Sequence, residues 1–149
     1  MTPRVFTSLD ELRPLIGQEA GVSGWFEITQ DAIDRFADVT GDHQWIHVDA
    51  DRARRESRYG NTVAHGFLTL SLLSHLSREA VDVHSGLPMR VNYGLNRVRF
   101  PSPVVAGSRV RAHMTPQSVS ASEIVWLVTM EIEGGGKPAL AAEWITRFY

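Results

Sequence analysis

At 149 residues, 43% of them hydrophobic, the chain has the size of one domain with a packed core, spanning 1–149. It contains no cysteine, which excludes disulfides, thiolate metal sites and cysteine nucleophiles, and a net charge of −2 argues against general nucleic-acid binding, the arginines 52, 54, 55 and 58 being the one local basic cluster. No run approaches the roughly 18 apolar residues of a membrane span, and Asp10, Glu11 and Arg13 interrupt the first fifteen residues, so the expectation is a cytoplasmic protein without a cleaved leader or membrane attachment.

In chain order, residues 8–13 predict a short helix, with Ser8 capping, Glu11 at the capping-box position and Pro14 as the stop. Residues 22–28 suit a first strand. Thr29 is a candidate cap for a helix whose Ile33, Phe36 and Ala37 share a face and whose stop is Gly41. From Asp42 to Thr62 the periodicity fails, apart from one helical turn near residues 49–55. Residues 63–81 are apolar on most sides, as for a helix buried in a domain centre, with Asn61 or Thr62 as the cap. Beyond Gly86 the pattern has period two. Met89, Val91, Tyr93 and Leu95 alternate, then slip in phase before Val98 and Phe100, which predicts a bulge. Three further alternating runs follow, at 110–114, 124–132 and 140–148, the last two separated by the glycines 134–136. A central helix followed by hairpin-linked strands implies an α+β fold with an antiparallel sheet over the helix.

Chemistry concentrates in the irregular stretch. Asp42 and His47 lie five residues apart, and an ionised carboxylate beside an imidazole that titrates near neutrality can hold and deprotonate a water. The same spacing also suits an aspartate capping a turn next to an ordinary histidine. At His65-Gly66, amides at the start of a helix would favour a developing oxyanion, and glycine would admit a ligand close to the backbone; relief of crowding against the sheet, with His65 packing or capping locally, explains the same residues equally well. Thr69, Ser71, Ser74 and Ser77 read as small residues allowing close approach to a sheet. Arg97 and Arg99 read as a solvated strand face or as phosphate contacts. His43 and His47 are four apart where no helix is expected, and no HExxH or GxSxG pattern occurs, so neither a metal site nor a serine-hydrolase elbow is expected.

Three blocks, FADVTGDHQWIHVD (36–49), AHGF (64–67) and NYGLNRVRFPSPV (92–104), resemble the MaoC-like dehydratase family, within it the (R)-specific enoyl-CoA hydratases and the NodN-like branch. The resemblance covers nearly the whole chain. It implies a hot-dog fold, a long helix wrapped by a curved antiparallel sheet, working as a homodimer. It places the catalytic pair on Asp42 and His47, the thioester-binding amide on Gly66 and an acyl-pocket position on Ser74, with Trp45 and Phe67 as further pocket candidates. The loop in the first half of the chain would overhang the site. One departure stands out. The family motif G-D-x-N-P-x-H carries Asn-Pro where this chain has Gln44-Trp45, and tryptophan does not fix the backbone as proline does.

The expected activity is reversible hydration of a trans-2-enoyl-CoA to an (R)-3-hydroxyacyl-CoA, with no metal or redox cofactor. The expected partners are an acyl-CoA thioester and a second copy of the chain, with Arg97, Arg99 or the arginines 52–58 as phosphate contacts. Two alternatives are an acyl-CoA thioesterase and a non-catalytic acyl-thioester-binding hot-dog protein. Acyl chain length, and CoA against carrier protein as the thioester handle, are not legible in the residues.

Overall fold

The computed structural model describes residues 1–149. Strand β1 (Arg4–Phe6) leads into a 3-10 helix, Leu9–Leu15, that runs one residue past Pro14. Its entry is fixed differently from the expectation. Ser8 holds the capping position without a side-chain bond, and the Glu11 carboxylate instead accepts from the Thr7 amide (2.7 Å) and hydroxyl (2.8 Å). The first expected strand is two pieces, β2 (Gly21–Val22) and β3 (Phe26–Glu27). Between them buried Ser23 turns its hydroxyl and amide onto the Ala112 backbone (2.9 Å each).

Helix α1 (Gln30–Thr40) begins and ends where the sequence predicts. Thr29 accepts from the Ala32 amide, and Gly41 takes the left-handed conformation (φ 76°) with its N–H on the Ala37 carbonyl. A helical turn α2 (Trp45–Val48), absent from the sequence reading, precedes α3 (Ala50–Glu56), which Asp49 caps through the Arg52 amide (3.0 Å). The central helix starts later than expected. Val63 and Ala64 are extended, their amides bonded to the Ile46 and Val104 carbonyls, and the N-cap is His65 rather than Asn61 or Thr62. The expected long helix is also divided into α4 (Gly66–Ser71) and α5 (Leu73–Ala80). Leu72 keeps right-handed angles (φ −65°, ψ −16°), so the path continues through a tightened link. The cause is local: the Ser71 hydroxyl donates to the Leu68 carbonyl (2.7 Å), competing with the helical ladder.

Strand β4 (Val81–Val83) pairs in parallel with β1, apart from the main sheet. The long strands β5 (Arg90–Arg99), β6 (Arg109–Val119), β7 (Glu123–Ile132) and β8 (Leu140–Phe148) follow. The antiparallel order is β2-β6-β7-β8-β5, with β3 beside β2 on β6. The register shift at Leu95/Arg97 is the predicted irregularity of β5; a second, at Asn92/Gly94, falls inside the run expected to alternate regularly, and a third lies at Pro116/Ser118. Such bulges bend strands and increase their twist. Val110, Ala112 and Met114 of β6, Ile124 to Met130 of β7 and Leu140 to Phe148 of β8 alternate inward onto Leu68, Leu73, Leu76 and Ala80. A helix held in an open, bent antiparallel sheet is the hot-dog arrangement. No helix is long and apolar enough to cross a membrane.

Candidate active site

The left-handed turn at Gly41 releases the chain from α1, and Asp42 is the next residue. Its carboxylate accepts from the Gln44 amide (3.3 Å), an Asx-type turn that leads into α2. Trp45 is the first residue of that helix, a position where proline is favoured for its fixed φ. Here packing takes over the constraint, because the Arg52 guanidinium lies 4.3 Å from the centre of the Trp45 ring. The turn that carries His47 is therefore kept despite the Gln44-Trp45 departure, with the His47 amide on the Gln44 carbonyl (2.9 Å).

His47 is 7% exposed. Its Nδ1 lies 2.6 Å from the Val63 carbonyl oxygen, which can only accept, so the proton sits on Nδ1 and Nε2 presents a lone pair. Burial pushes this imidazole below its ordinary value. The Val63 bond and the Asp42 charge oppose that shift, and neighbouring His65 adds to it. Behind the ring, Gln30 donates to the His47 backbone carbonyl (2.8 Å) and accepts from the Thr62 hydroxyl, tying α1, α2 and the approach to α4 together.

His65 is 3% exposed and lies against His47, ring centres 3.8 Å apart at 23°, with Phe36 of α1 tilted against it at 4.9 Å. Its Nε2–H donates to the Asp42 backbone carbonyl (2.9 Å), while Nδ1 is buried without a partner. A carboxylate oxygen of Asp42 and one ring nitrogen each of His47 and His65 lie within 4.8 Å of one another. One water hydrogen-bonded at both ends bridges groups up to about 5.5 Å apart, so Asp42 and His47 are within reach of a shared water. The three residues also carry the donor types of a metal site. The imidazoles, however, are stacked, and in-plane lone pairs of stacked rings run side by side rather than converging.

His47 opens into a cavity of about 330 Å³ that is also lined by Gly66, Thr69, Phe100 and, from the segment after α3, Arg58 and Tyr59. A Cβ on Gly66 would lie 3.2 Å from three carbon atoms of the Phe100 ring, so a larger residue there would have to push that ring aside by a few tenths of an ångström, while the Gly66 amide makes no hydrogen bond. Arg58 rests over the Tyr59 ring (4.9 Å) and has no carboxylate partner, unlike Arg52 with Glu56 and Arg54 with Asp51.

The remaining expected site residues lie elsewhere. Ser74 lines a second hollow of about 250 Å³ between the helix and β5, together with Leu70, Leu95 and Trp144, and the Asn92 amide donates to its hydroxyl (3.0 Å). Trp45 is half-buried under Arg52 and does not line the His47 cavity. Phe67 is 71% exposed, edge-on to Phe100. Arg97 and Arg99 line a groove with Leu127, Thr129 and Glu143, distinct from the His47 cavity.

The profile of the MaoC like domain matches residues 11–132. The chain belongs to the MaoC-like dehydratase family. Among its relatives, 3-hydroxyacyl-thioester dehydratase Z of Mycobacterium tuberculosis is 45% identical over 150 residues, covering 97% of this chain and 98% of that one. Nodulation protein N of Rhizobium leguminosarum bv. viciae is 50% identical over 144 residues, covering 93% and 89%. Of solved structures, an R-hydratase from Pseudomonas aeruginosa superposes with a TM-score of 0.76 at 22% identity, covering 95% of this chain and 85% of that one. An (R)-hydratase from A. caviae gives 0.74 at 20%, covering 90% and 96%. These two establish the fold. In this MaoC-family chain, sequence reasoning missed Gln30, Thr62 and Phe100. Only Thr62 carried a signal, and it pointed to a helix cap rather than to a buried hydroxyl.

Proposed function

We propose that the chain catalyses reversible hydration of a trans-2-enoyl thioester to an (R)-3-hydroxyacyl thioester, with CoA as the handle. The observation that carries this reading is the free Nε2 of neutral-biased His47, within one water of the Asp42 carboxylate and facing the cavity of Gly66. The 45% identity to a protein named as a 3-hydroxyacyl-thioester dehydratase supports the reaction class.

In the hydration direction the Gly66 amide donates to the thioester oxygen and makes C3 electrophilic. The water oxygen bonds to C3 as its proton passes to His47 Nε2. The electron pair of the C2–C3 double bond moves onto the thioester as an enolate. The proton passes from His47 through the new C3 hydroxyl, which stands where the bridging water stood, to Asp42 and is delivered to C2 on the same face, which returns both groups to their starting state. Ser74 and the hollow closed by Trp144 take the acyl chain, Trp45 supports the catalytic turn, and Phe67 flanks the entrance. Arg58, on the wall of the catalytic cavity and unpaired, is better placed for a phosphate than Arg97 and Arg99.

The working unit we propose is a homodimer joined at β5. This ten-residue edge strand has no buried residue and exposes Tyr93 and Leu95, a template for pairing that an isolated chain leaves open. Crotonyl-CoA hydration, followed as loss of enoyl-thioester absorbance, tests the activity. Asp42→Asn and His47→Gln are each expected to lower kcat by about 10²–10⁴-fold while still folding. Near-normal turnover in either variant, or thiol release in place of hydration, refutes the assignment.

A further inference from the structure

Buried polar atoms are almost always partnered, and leaving one unpaired is destabilising. Nδ1 of His65 is such an atom. Leucine or phenylalanine would fill the same space between Phe36 and His47 without that cost. What an apolar side chain lacks is the other nitrogen, whose N–H holds the backbone carbonyl of Asp42 (2.9 Å). The same ring covers a face of His47 at 3.8 Å.

We infer that His65 is a positioning residue for the Asp42–His47 pair, its Nε2–H fixing the turn that presents the carboxylate and its ring setting the orientation of the His47 imidazole. The inference rests on the hydration reading for its kinetic consequence, and on geometry alone for its placement. His47 needs such support because it sits on a four-residue helical turn, its ring anchored elsewhere only by the Val63 carbonyl. Asp42 is exposed, and its carboxylate accepts only from the Gln44 amide, so the bond to its own carbonyl from His65 is the longer-range tie on that turn. The arrangement joins the two halves of the site, since His65 stands directly before Gly66 at the head of α4.

The pair also has an electrostatic consequence. His65 adds to the lowering that burial imposes on the His47 imidazole, while the Val63 bond and the Asp42 charge oppose it. The groups facing His47 are Asp42 from the turn after α1, His65 from before α4 and Arg58 from after α3; α1 itself contributes the uncharged Gln30 and Phe36.

Two variants separate positioning from space filling. His65→Phe keeps a ring and loses the donor; His65→Gln keeps an N–H donor and loses the ring. With crotonyl-CoA, His65→Phe is expected to lower kcat by about 10–100-fold at nearly unchanged KM, and His65→Gln to recover most of that loss. In both, the His47 titration followed by NMR in the free protein moves to higher pH, and the acid limb of kcat/KM moves with it. Wild-type kcat in His65→Phe, or an unmoved His47 titration in folded variants, overturns the inference. If the wild-type chain hydrates no enoyl-CoA, the functional reading fails, and the His47 titration in the two variants still decides the placement of His65.

Discussion

Gln30→Leu is expected to damage the site through hydrogen bonds that no substrate touches. Gln30 donates to the His47 carbonyl (2.8 Å) and to the Asp34 carboxylate (2.8 Å), and accepts from the Thr62 hydroxyl. The Asp34 bond is solvent-exposed and contributes little. Thr62 is fully buried, and the next acceptor for its hydroxyl, Asn61 Oδ1, is 3.5 Å away, at the limit of a hydrogen bond. Leucine therefore strands one buried hydroxyl and leaves the His47 carbonyl short of a donor. At about 1–3 kcal/mol for an unpaired buried group and about 0.5–1.5 for a lost neutral bond, the total is about 1.5–4.5 kcal/mol. For a chain of this length each kcal/mol lowers Tm by about 2–4 °C, so the melt should fall by about 3–18 °C. Thr62→Val removes the stranded hydroxyl. Thermal melts of the wild type, both single variants and Gln30→Leu/Thr62→Val form a double-mutant cycle with an expected coupling of about 1–2 kcal/mol. The double variant should recover stability but not kcat, since the His47 carbonyl stays untethered. Strict additivity, or a Gln30→Leu melt indistinguishable from wild type, refutes the reasoning.

The depressed His47 sets two pH dependences. As the base it must be neutral, so the acid limb of kcat/KM is expected below about pH 6.5; a limb above that value contradicts the burial argument. In folding, the unfolded chain binds the extra proton between the folded value and about 6.5, so stability rises with pH through that window and is level above it. Urea midpoints of His47→Gln should lack that rise. Arg58→Ala should raise KM for crotonyl-CoA by about tenfold, the scale of one charge-assisted bond, and leave KM for the phosphate-free crotonyl-N-acetylcysteamine thioester unchanged; equal effects on both remove the phosphate role. Trp144→Phe should deepen the 250 Å³ hollow and shift kcat/KM towards octenoyl-CoA over crotonyl-CoA by about tenfold or more, with an unchanged ratio refuting Ser74's hollow as the acyl pocket. Leu95→Lys on the open edge of β5 should convert a sedimenting dimer to monomer, and a wild-type monomer removes the dimer proposal.

Which parts of this molecule are legible in sequence follows from the range of the interactions involved. The Thr29 cap, the left-handed Gly41 and the alternation along β6 to β8 are set within a few residues, and pattern alone locates them. The head of the central helix is not of that kind. Val63 and Ala64 open the apolar run that reads as helix, yet Ile46 and Val104, distant in sequence, claim their amides and hold them extended. The consequence for function is direct. Had the helix begun at Val63 as the apolar run predicts, the Val63 carbonyl would have been drawn into the helical ladder, away from His47 Nδ1, and the first free amides would fall short of Gly66. The delay of three residues is thus what selects the tautomer of His47 and brings His65 and Gly66 to the first turn. Asp42 and His47 are visible as a pair in the sequence, but what fits His47 to the proposed role of base is the carbonyl of a residue sixteen positions on, kept out of a helix by a strand connection after β5. If the proposed roles of Asp42 and His47 hold, a substitution that restores helix at Val63 and Ala64 would therefore leave both side chains in the sequence and still disarm the pair.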